Sequence, residues 1–163
     1  MKSTKFLLSL LAFTMVAWTS SAREASAAGP ALAIVVPDAS PLQDISMANL
    51  KELFLLEVLQ VPGSAAKVKF FAMPDNSPAQ KIALSVIYKM SAADLKRLWL
   101  KKVFRNEIAT EPTSVSGAGA LGSAIAGQKG GVGYCLNSEI PAGLRAVKVD
   151  GKSPEDAGYS LVE

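Results

Sequence analysis

The chain has 163 residues, 50% of them hydrophobic, and a formal net charge of +3, which suits one domain with an ordinary core. Its single cysteine, Cys135, excludes an internal disulfide, and the absence of histidine removes the commonest general base and transition-metal ligand. A Ser–His–Asp triad is therefore excluded. The chain also lacks the clustered basic stripe typical of nucleic-acid binding, so no nucleic-acid partner is expected.

The N-terminal segment predicts a secretory signal peptide. Two early lysines precede an apolar run over residues 6–18, and two small-residue patterns follow, ending at Ala22 and Ala27. An apolar run of about 13 residues is shorter than the ~20 that span a bilayer. We expect residues 1–27 to be a signal peptide and short leader, cleaved after Ala22 or Ala27, with no membrane span afterwards. The protein would then be periplasmic or secreted from a bacterium; the alternative is an uncleaved N-terminal anchor.

The rest of the chain, residues 31–163, predicts a single α/β domain in which strands alternate with helices. Compact apolar or alternating runs predict strands over 31–36, 67–71, 132–136 and 144–149. Periodic runs with serine caps predict helices over 47–56, 78–89 and 91–104, and a glycine- and alanine-rich helix over 117–128. We expect residues 105–116 to be irregular, Cys135 to lie in the core, and the tail through Tyr159 to follow the surface.

A basic cluster lies within the third predicted helix. Its cations alternate with apolar residues, which favours a solvated face with the apolar side chains turned inward; an anionic partner is the alternative. The cations are Lys96, Arg97, Lys101, Lys102 and Arg105, and the apolar residues are Leu98, Trp99, Leu100, Val103 and Phe104.

The sharpest candidate site is the turn before the second helix. A strand ends there, Ser77 occupies the N-cap position, and Pro78 follows at the first helical position. Free N–H groups at a helix start can hold a phosphate, sulfate or carboxylate. We therefore predict ligand contacts at Asp75, Asn76, Ser77 and Ala79. The alternative is that Ser77 only caps its own helix, in a capping box completed by Gln80.

A second candidate is the serine- and glycine-rich approach to the fourth helix, where Ser116 and Gly117 offer a similar anion nest. It lacks the Gly-Lys-Ser/Thr ending of a P-loop, and a plain surface loop is the alternative. The scattered carboxylates show no spacing typical of acid–base catalysis. We therefore predict no catalytic residue, no metal site and no cofactor.

Five blocks in this order and spacing resemble the short phosphate-transporter-like substrate-binding proteins of the type 2 periplasmic-binding-protein superfamily. The likeness runs from about residue 31 to residue 149, and the blocks are residues 33–37, 45–55, 75–77, 99–104 and 130–134. The resemblance implies one lobe of that fold, a small mixed sheet flanked by helices. It also implies an exported, non-catalytic solute-binding domain linked to an ABC transporter and binding phosphate or another small oxyanion.

The oxyanion turn departs from the pattern of the phosphate binders. In those proteins the turn carries an Arg and then Ser-Gly-Thr. Here Ser77 matches the serine, whereas Met73, Pro78 and Ala79 stand in place of the arginine, glycine and threonine. Pro78 also removes one backbone donor. These departures support an alternative function, a ligand-free interaction module derived from a solute-binding lobe, with a protein partner or a second copy of the chain against its uncovered face.

Overall fold

The computed structural model describes residues 30–163, so the predicted signal peptide lies outside the described residues. Within this range six strands form one sheet: β1 Leu32–Pro37, β2 Asp44–Ile45, β3 Lys69–Ala72, β4 Thr113–Ser114, β5 Gly131–Leu136 and β6 Leu144–Val149. The α-helices are α1 Met47–Phe54, α2 Pro78–Ile82, α3 Ala92–Phe104 and α4 Ala118–Ala126. A π-helix, Ala83–Tyr88, continues α2, and a 3-10 turn, Asn137–Glu139, follows β5.

The sheet is mixed, with strand order β2–β6–β1–β5–β3–β4. The central strand β1 runs antiparallel to both of its neighbours, β5 and β6. In contrast, β3 runs parallel to both β5 and β4. The carboxyl ends of β3, β4 and β5 therefore meet at one edge of the sheet. This arrangement confirms the predicted mixed sheet flanked by helices.

Continuous apolar sequence accounts for the central position of β1. Its residues 32–36 are fully buried, as expected for a strand covered on both faces. A chain of aromatic contacts extends the core away from this strand. Phe54 packs edge-on against Phe70 at 4.6 Å between ring centroids, and Tyr134 lies 5.4 Å from Phe54. These contacts join α1 to β3 and β5, so the sheet and its first helix share one core.

Serine caps set the starts of three helices. The hydroxyl oxygens of Ser46, Ser77 and Ser91 accept hydrogen bonds from the third residue of α1, α2 and α3, at 3.2, 3.1 and 3.1 Å. The first three predicted helices therefore begin where their caps indicate. Two of them end differently: α1 stops at Phe54, and the second predicted helix changes to π geometry after Ile82 and stops before Lys89, which has a φ of 52°.

Close packing between α4 and β5 requires glycine. An added Cβ on Gly133 would lie 2.7 Å from Leu121 Cδ1 and 3.0 Å from Ile125 Cδ1, both on α4. The glycine thus lets the helix lie directly on the strand. Gly130, one residue before β5, is also constrained, because a Cβ there would collide with the carbonyl oxygen of Lys67.

Three expectations were wrong or incomplete. The short strands β2 and β4 were not predicted, because two residues carry no detectable periodicity. The C-terminal tail follows the surface only in part: most of its residues are exposed, but Tyr159 is 3% exposed and Leu161 is fully buried. The Leu161 carbonyl accepts from Leu32 N at 2.8 Å, so these two side chains anchor the tail at the amino end of β1.

The third error concerns the basic cluster on α3. Trp99 points inward as expected, but Leu100 is 41% exposed and Phe104 is 85% exposed. Conversely, Lys102 is buried rather than solvated. The reason is helical spacing: Leu95, Trp99 and Lys102 share the face that packs on the core, whereas Leu100 and Phe104, four residues apart, share the opposite face.

Candidate functional site

Two helix starts lie at the same edge of the sheet. β3 and β4 are parallel neighbours, with Phe71 opposite Thr113 and Ala72 opposite Ser114. Val115 N donates to the Ala72 carbonyl at 3.0 Å, which holds the two strand ends together. β3 leads through residues 73–77 into α2, and β4 leads through residues 115–117 into α4. The topology therefore brings both predicted anion turns to one edge.

The start of α2 has few donors left for a ligand. Ser77 Oγ accepts from Gln80 N at 3.1 Å, and Ser77 N donates to the Pro74 carbonyl at 2.9 Å. Pro78 has no N–H, so only the N–H of Ala79 remains in the first turn. Ser77 therefore acts as the cap of its own helix. The reciprocal half of the predicted capping box is replaced by a different contact of the Gln80 side chain.

The start of α4 is different, because it has no side-chain cap. Gly117 occupies the N-cap position, and its carbonyl accepts from Leu121 N at 2.9 Å. Within the described residues, the N–H groups of Ala118, Gly119 and Ala120 make no hydrogen bond to protein. Gly119 and the preceding Ser116 are exposed, so this turn is open to solvent. Three backbone donors and a serine hydroxyl are available here to one ligand.

A cavity of about 330 Å³ opens beside the end of β3. Tyr88, Leu95 and Trp99 contribute apolar wall, and Ala72 and Met73 contribute the strand end. Its polar lining is mixed in charge: Asp75 and Glu111 are carboxylates, Lys96 is a cation, and Ser114 and Gln80 are neutral. Two carboxylates against one ammonium group make this cavity a poor host for a dianion.

A buried hydrogen bond forms part of the cavity wall. The Tyr134 hydroxyl on β5 donates to Gln80 Oε1 on α2, and both side chains are buried. Burial raises the pKa of Tyr134 well above its usual range; a backbone hydrogen bond from Met73 lowers it, and the nearby charge of Asp75 raises it again. Tyr134 therefore stays protonated, and the pair fixes α2 onto the sheet beside the edge where α2 and α4 begin.

The six predicted site residues lie at the cavity, at the start of α2 and at the approach to α4. Asp75 lines the cavity, and Asn76 is exposed in the turn that follows. Ser77 caps α2, and Ala79 is buried in its first turn. Ser116 and Gly117 form the approach to α4.

Sequence reasoning missed Lys96 and the Tyr134–Gln80 pair. Lys96 belongs to a cluster of cations, and nothing in that cluster distinguishes the residue that faces the cavity. The Tyr134–Gln80 bond joins positions 54 residues apart, which no local pattern reveals.

Other chemistry is limited in the described region. Cys135 is fully buried, and burial raises the pKa of its thiol to about 12, as expected for a core residue rather than a reactive one. Residues 30–163 contain no group of three or more His, Cys, Asp or Glu side chains that could hold a metal ion. No helix in that range is long and apolar enough to cross a membrane.

Taken together, the fold is a phosphate-binding-protein-like α/β fold. A substrate-binding protein of the phosphate ABC transporter class from Clostridium perfringens, solved with bound phosphate, matches 78% of this chain at a TM-score of 0.62 and 18% identity. An ABC-type phosphate transport receptor from Vibrio cholerae matches 78% at 0.61 and 13% identity. PstS from Borrelia burgdorferi matches 83% at 0.62 and 15% identity.

These matches confirm the predicted fold resemblance. The chain spans about half the length of the structures that it matches, with 48%, 49% and 55% of those chains covered. No family model matches the chain, and no curated protein matches it either. At 13 to 19% identity the likeness establishes the fold, and function must be argued from the site.

Proposed function

We propose that this protein is an exported, non-catalytic binding protein that takes a small oxyanion, such as phosphate, at the start of α4. The single observation that carries the proposal is the uncapped start of this helix, where three N–H groups lack protein partners within the described residues. The fold supports the ligand class, because the structures it resembles are described as phosphate-binding or phosphate-transport proteins.

The first turn of α4 offers what an oxyanion needs. The N–H groups of residues 118–120 point out of the helix start, and the helix dipole adds partial positive charge there. Ser116 supplies a hydroxyl, and Gly117 lets the ligand approach the backbone closely. No acidic residue lies in the first turn of α4 to repel the anion. By comparison, α2 retains one free donor in its first turn, so the turn at Ser77 contributes less.

A lysine on α3 supplies positive charge near this edge of the sheet. Lys96 lines the cavity together with Ser114, which lies four residues before the start of α4. The carboxylates of Asp75 and Glu111 line the same cavity. The anion is therefore expected on the α4 side of the edge rather than within the cavity, where both carboxylates would oppose it.

The test is thermal melting of residues 28–163 against phosphate, sulfate, arsenate, molybdate and small carboxylates. A ligand that binds only the folded state stabilises it by ~2.7 kcal/mol at a hundred times its dissociation constant. We expect at least one oxyanion to raise the melting temperature in a saturable way. A flat response to the whole panel at 10 mM would contradict the proposal.

Two variants locate the site: one introduces a proline at the start of α4, and the other removes the proline at the start of α2. Ala118→Pro removes an N–H at the first position of α4, where proline is structurally tolerated, and should weaken oxyanion binding about tenfold or more. Pro78→Ala is the matched reverse change, because it restores an N–H at the same position of α2. Pro78→Ala should leave the affinity for the oxyanion unchanged. If Pro78→Ala bound the oxyanion more tightly and Ala118→Pro lost no affinity, the oxyanion would bind at the start of α2 instead.

Export is tested separately. The N-terminal pattern supports cleavage after Ala22 or Ala27, and intact mass of the protein recovered from the periplasmic fraction of an expressing cell gives the site. Retention of the full-length chain in the membrane fraction would instead support the uncleaved anchor.

The second candidate function is an interaction module that has lost its ligand. The near-complete use of donors at the α2 start favours it. In that case the oxyanion panel has no effect, and purified residues 28–163 either form a dimer or capture a specific protein. A monomer with no partner and a saturable oxyanion response would exclude it.

A further inference from the structure

The exposed face of α3 carries two large apolar side chains between cations. Phe104 is 85% exposed and Leu100 is 41% exposed. They account for two of the three exposed large hydrophobic residues in the described range. At a spacing of four residues they form one stripe on the outer side of the helix, opposite the buried Leu95 and Trp99. Because the two side chains are neighbours on the helix surface, they form one exposed apolar patch rather than two isolated residues, and such a patch is a candidate interaction face.

The charges beside this stripe are mainly positive. Lys96, Arg97, Lys101 and Arg105 are all exposed and lie along the same helix and its C-terminal cap. Arg97 pairs with Asp94 at 3.0 Å, and Arg105 pairs with Glu107 at 3.7 Å, but both ion pairs are exposed to solvent. Such pairs are weak, so these cations remain available to an external anion. Lys101 forms no ion pair within the described residues.

We propose that the outer face of α3, defined by Arg97, Leu100, Lys101, Phe104 and Arg105, binds the surface of an anionic membrane. In this arrangement Phe104 and Leu100 enter the boundary between headgroups and acyl chains, while the cations contact lipid phosphates. The domain lies on the membrane and does not cross it. This binding is independent of the oxyanion site on α4.

Two other occupants fit the face less well. A second copy docking through the same face would bring like charges together across a two-fold axis, which opposes association. A protein partner would bury the patch in an interface core, from which charged residues, and lysine in particular, are depleted. Apolar side chains flanked by Lys and Arg are instead typical of helices at a lipid surface.

The test is co-sedimentation of residues 28–163 with vesicles. This part contains the complete sheet and its core, and it lacks the apolar run 6–18, which would bind lipid by itself. Vesicles of phosphatidylglycerol and phosphatidylethanolamine are compared with vesicles of phosphatidylcholine alone. We expect binding to the anionic vesicles only, and loss of most binding between 50 and 500 mM salt, because screening weakens each cation's contribution.

Three variants distinguish binding through this face from nonspecific binding to vesicles. Phe104→Ala should lower the vesicle partition coefficient about tenfold, because most of the inserted apolar area is lost. Lys101→Glu should lower it by at least a similar factor, whereas Lys148→Glu, which makes the same change at the exposed position of β6, should have little effect. Since both α3 side chains are exposed, the variants should melt like the wild type.

Three outcomes would overturn the proposal. One is the absence of binding to anionic vesicles at 50 mM salt. Another is binding that survives Phe104→Ala and Lys101→Glu. The third is that the protein binds no vesicles but binds an acidic protein through this face. Ala118→Pro should leave vesicle binding intact, and free phosphate at 10 mM should not compete; loss in either experiment would place lipid phosphate at the α4 start instead.

Discussion

The buried Tyr134–Gln80 hydrogen bond offers the sharpest test of how α2 is held on the sheet. Tyr134→Phe removes one hydroxyl and leaves Gln80 Oε1 buried, without its protein partner. Loss of a buried partner costs ~1–3 kcal/mol of unfolding free energy. For a domain of this size, a change of that order lowers the melting temperature by roughly 3–10 °C.

The assay is urea unfolding of the wild type, the two single variants and the double variant. Gln80→Met keeps the length of the side chain but removes its polar atoms, so the Tyr134 O–H loses its acceptor. In the double variant both members of this hydrogen bond are absent, so it should be less destabilised than the two single effects added together. A coupling free energy of ~1 kcal/mol or more is expected for two residues in direct contact.

A change in the unfolding free energy of less than about 0.5 kcal/mol in Tyr134→Phe, the range usual for surface substitutions, would contradict a stabilising role for this hydrogen bond. Strictly additive changes in unfolding free energy would also contradict it, because the two side chains would then contribute independently. Equal m-values across the four proteins are needed as a control, since they show that the unfolding transition itself has not changed.

Three further predictions concern stability and accessibility. Gly130→Ala should destabilise the domain by ~2 kcal/mol or more, because the added methyl collides with the backbone carbonyl of Lys67. Urea unfolding measures this loss. The control is Gly119→Ala at an exposed position, where an added Cβ meets nothing within 4 Å. Stability should fall as pH rises above the ordinary tyrosine pKa of about 10, by up to ~1.4 kcal/mol per pH unit for each tyrosine that ionises only when unfolded. The reason is that burial raises the folded-state pKa of Tyr88, Tyr134 and Tyr159; a flat profile between pH 9.5 and 11.5 would contradict those shifts. The Cys135 thiol, whose pKa is raised to about 12, should react with Ellman's reagent only after unfolding; rapid reaction of the native protein would disprove its burial.

Local sequence signals predicted much of the architecture. Ser46, Ser77 and Ser91 each precede a periodic run, and each caps a helix in the structure. The apolar run at residues 31–36 predicted the buried central strand, and the final strand at 144–149 has the predicted bounds. These features were predictable because capping and burial depend on neighbouring residues.

The errors lie where distant contacts decide the outcome. The Tyr159 side chain is buried against the first strand, where its hydroxyl donates to the Leu32 carbonyl at 3.0 Å, a contact across 127 positions. The outward turn of Leu100 and Phe104 depends on which face of α3 meets the core, and composition alone does not specify that face.

The candidate site was predicted only in part, for the same reason. Serine and glycine patterns predicted two candidate anion turns, and both turns lie at the same sheet edge. Their relative capacity could not be ranked from sequence, because it depends on which N–H groups remain free after capping. Ser77 uses its hydroxyl on Gln80 N, whereas Gly117 has no side chain to do so.

The most direct test of the central proposal is amide chemical-shift mapping of residues 28–163 during titration with phosphate. We expect saturable shifts centred on the backbone N–H groups of Ala118, Gly119 and Ala120, with smaller changes at Ser116. The absence of saturable shifts up to 10 mM phosphate would contradict oxyanion binding. Shifts confined to Ala79 and Gln80 would contradict the choice of α4 over α2.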